Sequence, residues 1–406
     1  MQVLLSSIGS RGDIQPLLAL ALELQIQGHR ARLCVPPNFK EWVEAYGLEC
    51  VPIGPDLKKM TGGSVPDKPV LPSKEQLQQL AVQTVRVQFQ VITEAARGCD
   101  LIVAATALQI AAHSIAEAQK IPYIFAAYCP AVLPSLNYPP PKTGGQHSFF
   151  LPQDANRQLW KENEDEFNQR FGSTLNEERA KIGLAPVSSV RDHMFTQNPW
   201  LAADGTLAPA FPYEDMQVVQ SGAWLLKDQT PLPDELEEFL AGGEAPIYLG
   251  FGSMRAAEQT GHTLIKAVRA LGLRCILSQG WANLTPVDAG EDCFSIGDIN
   301  HEKLLPRVAA IVHHGGAGTT TAAARAGITQ VIIPHNYDQF YWAHRVQQLG
   351  IGISGPLRDD LNADNLAEAV RACLHPDLKT NARSLAEKIE LHGARLAAEQ
   401  LVREFS

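Results

Sequence analysis

Residues 313–327 read HHGGAGTTTAAARAG, with two histidines, four glycines and three threonines leading into an alanine-rich helix pattern. The apolar run AAIV stands directly before them. A glycine-rich turn feeding a helix N-terminus presents unpaired backbone N–H groups and the positive end of the helix dipole, and so cradles anions such as a diphosphate. Gly316, Ala317 and Gly318 would supply that backbone, and the His314 imidazole and Thr319 hydroxyl would add donors. The competing reading is a packing turn with a threonine cap. A zinc site is disfavoured, because adjacent histidines point apart and no nearby carboxylate or cysteine has ligand spacing.

Three other stretches could do chemistry. GFGS (250–253) repeats the strand-to-turn pattern and offers Ser253 to the other side of a phosphate clamp. SSIGSRGDIQP (6–16) ends an apolar strand, opens a helix and carries Ser10, Arg11 and Asp13. It is not GxGxxG, and the next strand ends in VPPN without the acidic residue of an adenosine ribose site, so a dinucleotide is disfavoured. A carboxylate just past a strand end can act as a general base; Asp13 reads equally well as a helix cap. Arg11 and the helix N-terminus should hold its pKa low, whereas a useful base needs it raised. In PHNYDQFYW (334–342), Asp338 and Gln339 can bond neighbouring hydroxyls, as a sugar requires, or cap a helix.

The elements that must aim these turns alternate along the chain. QVLLSS, RARLCVP, LECVPIG, DLIVAA and IPYIFAA read as short buried strands, with helix patterns between them. Residues 58–73 and 136–153 are rich in proline and glycine and read as long loops, while KENEDEFNQR reads as the solvated face of a helix. After a polar connection the alternation restarts with PIYLGFGS, RCILSQG, CFSIG, AAIVHHGG, QVIIP and GIGIS, and one helix pattern closes the chain at 379–404. Two doubly wound halves place a ligand between them, at the carboxyl ends of their strands.

At 406 residues, two domains are the natural expectation. A net charge of −10, from 34 basic and 44 acidic side chains with no basic stripe, argues against nucleic-acid binding. Seven scattered cysteines without a CxxC read as reduced thiols of a cytoplasmic protein. No stretch is long and apolar enough to predict a membrane span. Peripheral membrane contact and oligomeric state stay open.

Taken in order, SRGDIQP, GFGSM, HHGGAGTT and the later DQ resemble the inverting GT-B glycosyltransferases of the UDP-glycosyltransferase superfamily, most of all the branch of sterol glucosyltransferases and glycopeptide-antibiotic glycosyltransferases. The resemblance covers nearly the whole chain. It implies an α/β fold of two Rossmann-like domains facing across a cleft. Residues 1–215 would bind the acceptor, 216–245 would link, 246–378 would bind the nucleotide sugar, and 379–406 would cross back as a C-terminal helix.

The family register also implies roles. In the plant branch a phosphate-binding histidine precedes the acidic-Gln pair by 24 positions, which here selects His314 and leaves His313 structural. Asp13 would deprotonate a hydroxyl of an apolar or aromatic acceptor, which attacks the anomeric carbon opposite the leaving nucleotide. An α-linked hexose, glucose first of all, would become a β-glycoside. Ser10, Arg11, Ser253, His314, Gly318 and Thr319 would stabilise the departing diphosphate without a metal. Asp338 and Gln339 would hold the sugar, with Ile299 and His301 beside the base and ribose. Two departures, Ile296 in place of a stacking tryptophan and Ala322 in place of a ribose-binding glutamate, leave UDP-sugar and dTDP-sugar both open. Trp281 reads as a substitute stacking surface or as loop packing. HSFFLP, Tyr138 and Trp160 read as an acceptor pocket or as ordinary core. An epimerase on the same fold would need further acid and base groups around the sugar, and a non-catalytic nucleotide-sugar-binding protein would have no need of Asp13.

Overall fold

A computed structural model describes the chain apart from residues 62–72, 107, 143, 144, 147, 258, 287 and 289. Most of the loop expected at 58–73, and part of that at 136–153, therefore lies outside the described residues; Leu57–Thr61 is a short helix.

Seven strands form the first sheet: β1 (Gln2–Ser7), β2 (Arg30–Val35), β3 (Glu49–Pro52), β4 (Leu101–Ala105), β5 (Tyr123–Ala127), β6 (Trp200–Leu201) and β7 (Val219–Gln220). Their spatial order is β3-β2-β1-β4-β5-β6-β7 and every pairing is parallel. The second sheet, β8 (Ile247–Gly250), β9 (Cys275–Ser278), β10 (Cys293–Ile296), β11 (Ala310–His313), β12 (Thr329–Ile332) and β13 (Gly352–Ser354), has the order β10-β9-β8-β11-β12-β13, again all parallel. Parallel strands are covered on both faces, which is why they read as unbroken apolar runs. All six residues of β1 are buried, with Leu4 in one core and Val3 and Leu5 in the other.

Each sheet reverses its winding once, between β1 and β4 in the first half and between β8 and β11 in the second. A doubly wound sheet opens its ligand crevice at that reversal, beyond the carboxyl ends of the strands. The turns after β1, β8 and β11 are SSIGSRGD, GFGS and HHGGAGT, so three of the four motifs stand at the two crevices.

The stretch expected to be linker is more structured than its polar composition suggests. Val219–Gln220 is the edge strand of the first sheet, and the helix Asp234–Ala241 puts Leu236 and Leu240 into the second half's core. The closing segment is two helices, Pro376–Ala386 and Gly393–Phe405, rather than one. Its break is set by distant backbone: the Glu390 N–H bonds Asp204 Oδ2 at 2.8 Å, and a Cβ on Gly393 would overlap the Gly222–Ala223 chain. The last helix packs on the helix Arg11–Ile26 through Ala394, Ala397, Ala398 and Leu401. Leu401 is fully buried there. Leu401→Ala should therefore destabilise the protein by about 2–5 kcal/mol, seen as a lower denaturation midpoint. No helix among the described residues is long and apolar enough to cross a membrane.

Candidate active site

Asp13 sits in the first turn of the helix Arg11–Ile26, with Ser10 as N-cap. Its Oδ2 accepts from the Ser10 backbone N–H at 2.6 Å and from the Ser10 hydroxyl at 3.1 Å. Ser10 thus donates its hydroxyl proton to Asp13. Both bonds fall on one oxygen, so Ser10 leaves Oδ1 unengaged. A Cβ on Gly9 would overlap the carboxylate, so Gly9 is what admits it. The Tyr128 hydroxyl donates to the Asp13 carbonyl at 3.0 Å and fixes the turn from β5's side.

Burial raises the Asp13 pKa, against the lowering effect of the Ser10 bonds. The sequence expectation that Arg11 would depress it is corrected. The Arg11 guanidinium turns to the other half of the molecule, where it pairs with Asp298 at 2.5 Å, and it lies 4.8 Å over the Trp42 ring.

The second crevice holds the glycine-rich turn. His313 is buried with both ring nitrogens engaged: Nδ1 accepts from the Gly315 N–H at 3.1 Å, which leaves the Nε2 proton for Gln330 Oε1 at 2.9 Å. It is a structural residue. His314 is also buried, but no group among the described residues meets its Nδ1. Burial brings its pKa to about 4, so near neutral pH it is an uncharged donor. Gly315 adopts φ +90°, and its missing Cβ makes room for Ile332. A Cβ on Gly316 would come within 2.7 Å of His314 Nε2, and one on Gly252 within 3.2 Å of Cε1, so two glycines frame the ring.

The helix Ala317–Arg325 begins with Gly316 as N-cap and no side-chain cap on its free N–H groups. Thr320 and Thr321 turn their hydroxyls back to the Gly316 and Ala317 carbonyls at 2.9 and 2.8 Å. Thr319 makes no such bond and stands in the first turn beside exposed Gly318. Ser253 lies half-buried in the turn after β8.

Asp338 precedes the helix Gln339–Gln348 without capping it; its Oδ2 instead accepts from Trp342 Nε1 at 3.0 Å. Burial first, and then the charge of Asp13, raise its pKa to about 6 against the lowering effect of the Trp342 bond. The two carboxyl groups, one from each half, are therefore close enough to feel one another's charge. Gln339 holds the turn that presents Asp338: its Oε1 accepts from the His335 and Asn336 N–H groups at 2.8 and 3.0 Å, and its Nε2 lies 3.4 Å from Met254 Sδ. Beside Asp338 a cleft is lined by Pro139, Pro140, Pro141, Phe149, Phe340 and Tyr341. Tyr138 stacks on Phe211 at 4.6 Å and meets Tyr341 edge-on, joining this wall. Trp160 does not; it is buried and belongs to a separate pocket edged by Arg157, Lys161 and Glu164.

Ile299 and His301 follow β10, and His301 Nε2 bonds the Tyr248 hydroxyl at 3.1 Å. Trp281 lays one face against Phe39 of the first half at 6.3 Å, so that face is taken by packing between the halves. Gly9, Gly252, Tyr128 and Trp342 shape the site although none was singled out from sequence. The spacing Gly9-x-x-x-Asp13 was the one local sign.

Residues 3–135 match the glycosyltransferase family 28 N-terminal domain, and residues 294–392 the erythromycin biosynthesis protein CIII-like C-terminal domain. Glycosyltransferase GtfE and vancomycin aglycone glucosyltransferase, both of Amycolatopsis orientalis, are each 41% identical to this chain over 99% of it and 97% of their own lengths. The chain belongs to the GT-B glycosyltransferases. The dTDP-epi-vancosaminyltransferase of the same organism is 38% identical over 95% of this chain and 93% of its own. Among solved structures, the glycosyltransferase of kitacinnamycin superposes with a TM-score of 0.72 at 18% identity, covering 100% of this chain and 99% of that one.

In this glycosyltransferase the Asp338 carboxyl should govern the acid limb of activity. Its raised pKa means that the anion forms only as pH rises through about 6, so activity should climb across that range. Trp342→Phe removes the N–H that favours the anion and should move the limb to higher pH. A kcat/KM–pH profile of both proteins measures the displacement.

Proposed function

We propose that this glycosyltransferase moves a hexose, glucose in the first instance, from UDP-glucose to a hydroxyl of an aromatic, apolar acceptor, with inversion at the anomeric carbon. The observation that carries the reading is Asp13: a buried carboxyl at the first crevice, one oxygen tied to Ser10, the other available, its pKa raised by burial toward that of a working base. Asp13 Oδ1 takes the acceptor proton as the acceptor oxygen attacks the anomeric carbon. The bond from that carbon to the diphosphate breaks, and its electron pair leaves on the phosphate oxygen. The backbone N–H groups of Gly318 and Thr319, the Thr319 and Ser253 hydroxyls and neutral His314 stabilise that charge, with the helix dipole behind them. Asp338 and the second Nε2 proton of Gln339 hold sugar hydroxyls, and the backbone at Ile299 borders the base. Ser10 acts on Asp13, and Arg11 on the bridge to Asp298.

The acceptor class follows from the proline and aromatic wall beside Asp338, which suits flat apolar rings. The same wall would also take a sterol. A second donor reading, a dTDP-sugar, is favoured by Ala322, which offers no carboxylate to a ribose 2′-hydroxyl, and by the dTDP sugar in one relative's name. The test is a screen of UDP-glucose and dTDP-glucose against phenolic and sterol acceptors, following nucleotide release and product anomer by NMR. A β-glycoside from one donor supports the reading and names the donor; an α-glycoside sinks the single-displacement chemistry.

A further inference from the structure

His314 can donate to a diphosphate only in one of its two neutral forms. Its Nε2 lies toward Gly316 at the head of the helix Ala317–Arg325, so Nε2 must carry the proton and Nδ1 must accept. Which nitrogen is protonated is set by what the other one faces. Nδ1 is sealed without a polar partner among the described residues, and a Cβ on Gly252 would lie 3.9 Å from it.

The neighbouring strand end supplies a candidate. β11 and β12 pair in parallel with His313 opposite Ile332, and each continues into a buried histidine, His314 and His335. The His335 ring is more than nine-tenths buried, and neither of its nitrogens meets a partner among the described residues. It stands edge-on to Phe251 at 4.8 Å, while His314 lies against Gly252, so both rings sit beneath the same turn after β8. Burial holds His335 neutral, with a pKa of about 3, and so provides one donor and one acceptor. By contrast His313, in the same stretch, has both nitrogens paired. His314 Nδ1 and one nitrogen of His335, both sealed and without a partner among the described residues, call for a shared polar partner, and a buried water is the usual one.

We propose that His335 is a positioning residue for His314: it holds one buried water that donates a hydrogen bond to His314 Nδ1, and so fixes the Nε2–H form that faces the donor's diphosphate. This rests on the reading of the glycine-rich turn as a diphosphate cradle. The arrangement is the imidazole counterpart of the outer-shell partners that orient metal-bound histidines.

The experiment uses full-length protein with 15N-labelled histidine, with UDP and dTDP as probes. Wild-type binding is measured first; failure to bind either nucleotide overturns the cradle reading, and this proposal with it. With binding in hand, long-range 15N–1H spectra of the His314 ring are compared in wild type, His335→Phe and His335→Gln. Wild type should show the Nε2–H form. His335→Phe should shift His314 toward Nδ1–H, weaken the nucleotide by about tenfold and lower kcat, with acceptor KM unchanged. His335→Gln, whose amide can donate to the same water, should restore the wild-type form and most of the affinity. A His314 that keeps Nε2–H and full nucleotide affinity in the Phe variant overturns the proposal while leaving the cradle standing. Should the Phe variant not fold, a Gln variant whose His314 has lost the Nε2–H form overturns it, and one that keeps that form at near wild-type affinity supports it.

Discussion

Asp13→Asn should lower kcat by about 10²–10⁴-fold while nucleotide affinity stays within about twofold of wild type. Asparagine has the same shape, and its amide oxygen can still accept from the Ser10 N–H, so the first turn of the helix Arg11–Ile26 keeps its cap. What is lost is the site for a proton. A carboxyl that only capped the helix would behave differently: replacement by asparagine, which keeps the cap, would leave both stability and turnover nearly intact. The split between kcat and nucleotide Kd, from steady-state kinetics and calorimetry, separates base from cap.

Of the two readings of Asp13 that its sequence context leaves equal, the structure shows the capping contact on one oxygen, and the base proposed above would use the other. Sequence could not reveal this because the division depends on which oxygen Ser10 bonds. Arg11 shows the same limit from the other side. Two residues from Asp13, it should have depressed the carboxyl's pKa; it pairs instead with Asp298, nearly 300 positions away. Spacing along a chain says little about a side chain long enough to reach across a cleft.

The parts that were legible are those in which a local pattern carries a whole element. Apolar runs of four to six residues gave most of the parallel strands, and the glycine-rich turn into the helix Ala317–Arg325 was visible because glycine and threonine act through neighbouring backbone. That His313 is structural came from the family register, and the structure supplies its reason in the Gln330 and Gly315 bonds. The elements misread were those decided by remote packing. Val219–Gln220 is a strand because β6 lies beside it, and the closing helix breaks because Gly393 must pass the Gly222–Ala223 chain. Trp281 likewise packs on Phe39, a contact between halves.

The glycine-rich turn makes the second large prediction, through two glycines two positions apart. At Gly316 a methyl group would stand 2.7 Å from His314 Nε2, closer than real Cβ atoms approach, so the ring must swing from the helix head. Gly316→Ala should weaken UDP or dTDP binding on the order of 10²-fold, the loss expected when a donor to a charged group is misplaced and the approach to the backbone is narrowed. At Gly318 the added methyl meets nothing within 4 Å, and the backbone does not need glycine's freedom. Gly318→Ala should therefore hold or raise thermal stability, since alanine is favoured over glycine in a helix by up to about 1 kcal/mol. It should still weaken the nucleotide, because a diphosphate resting on that first turn would touch the new methyl. Calorimetric titration and a melting curve on both variants decide the matter. Unchanged nucleotide affinity in both would mean that the diphosphate rests elsewhere and that the turn serves packing alone. A loss in Gly318→Ala with no loss of stability has no explanation in the unliganded protein and would mark the ligand's position.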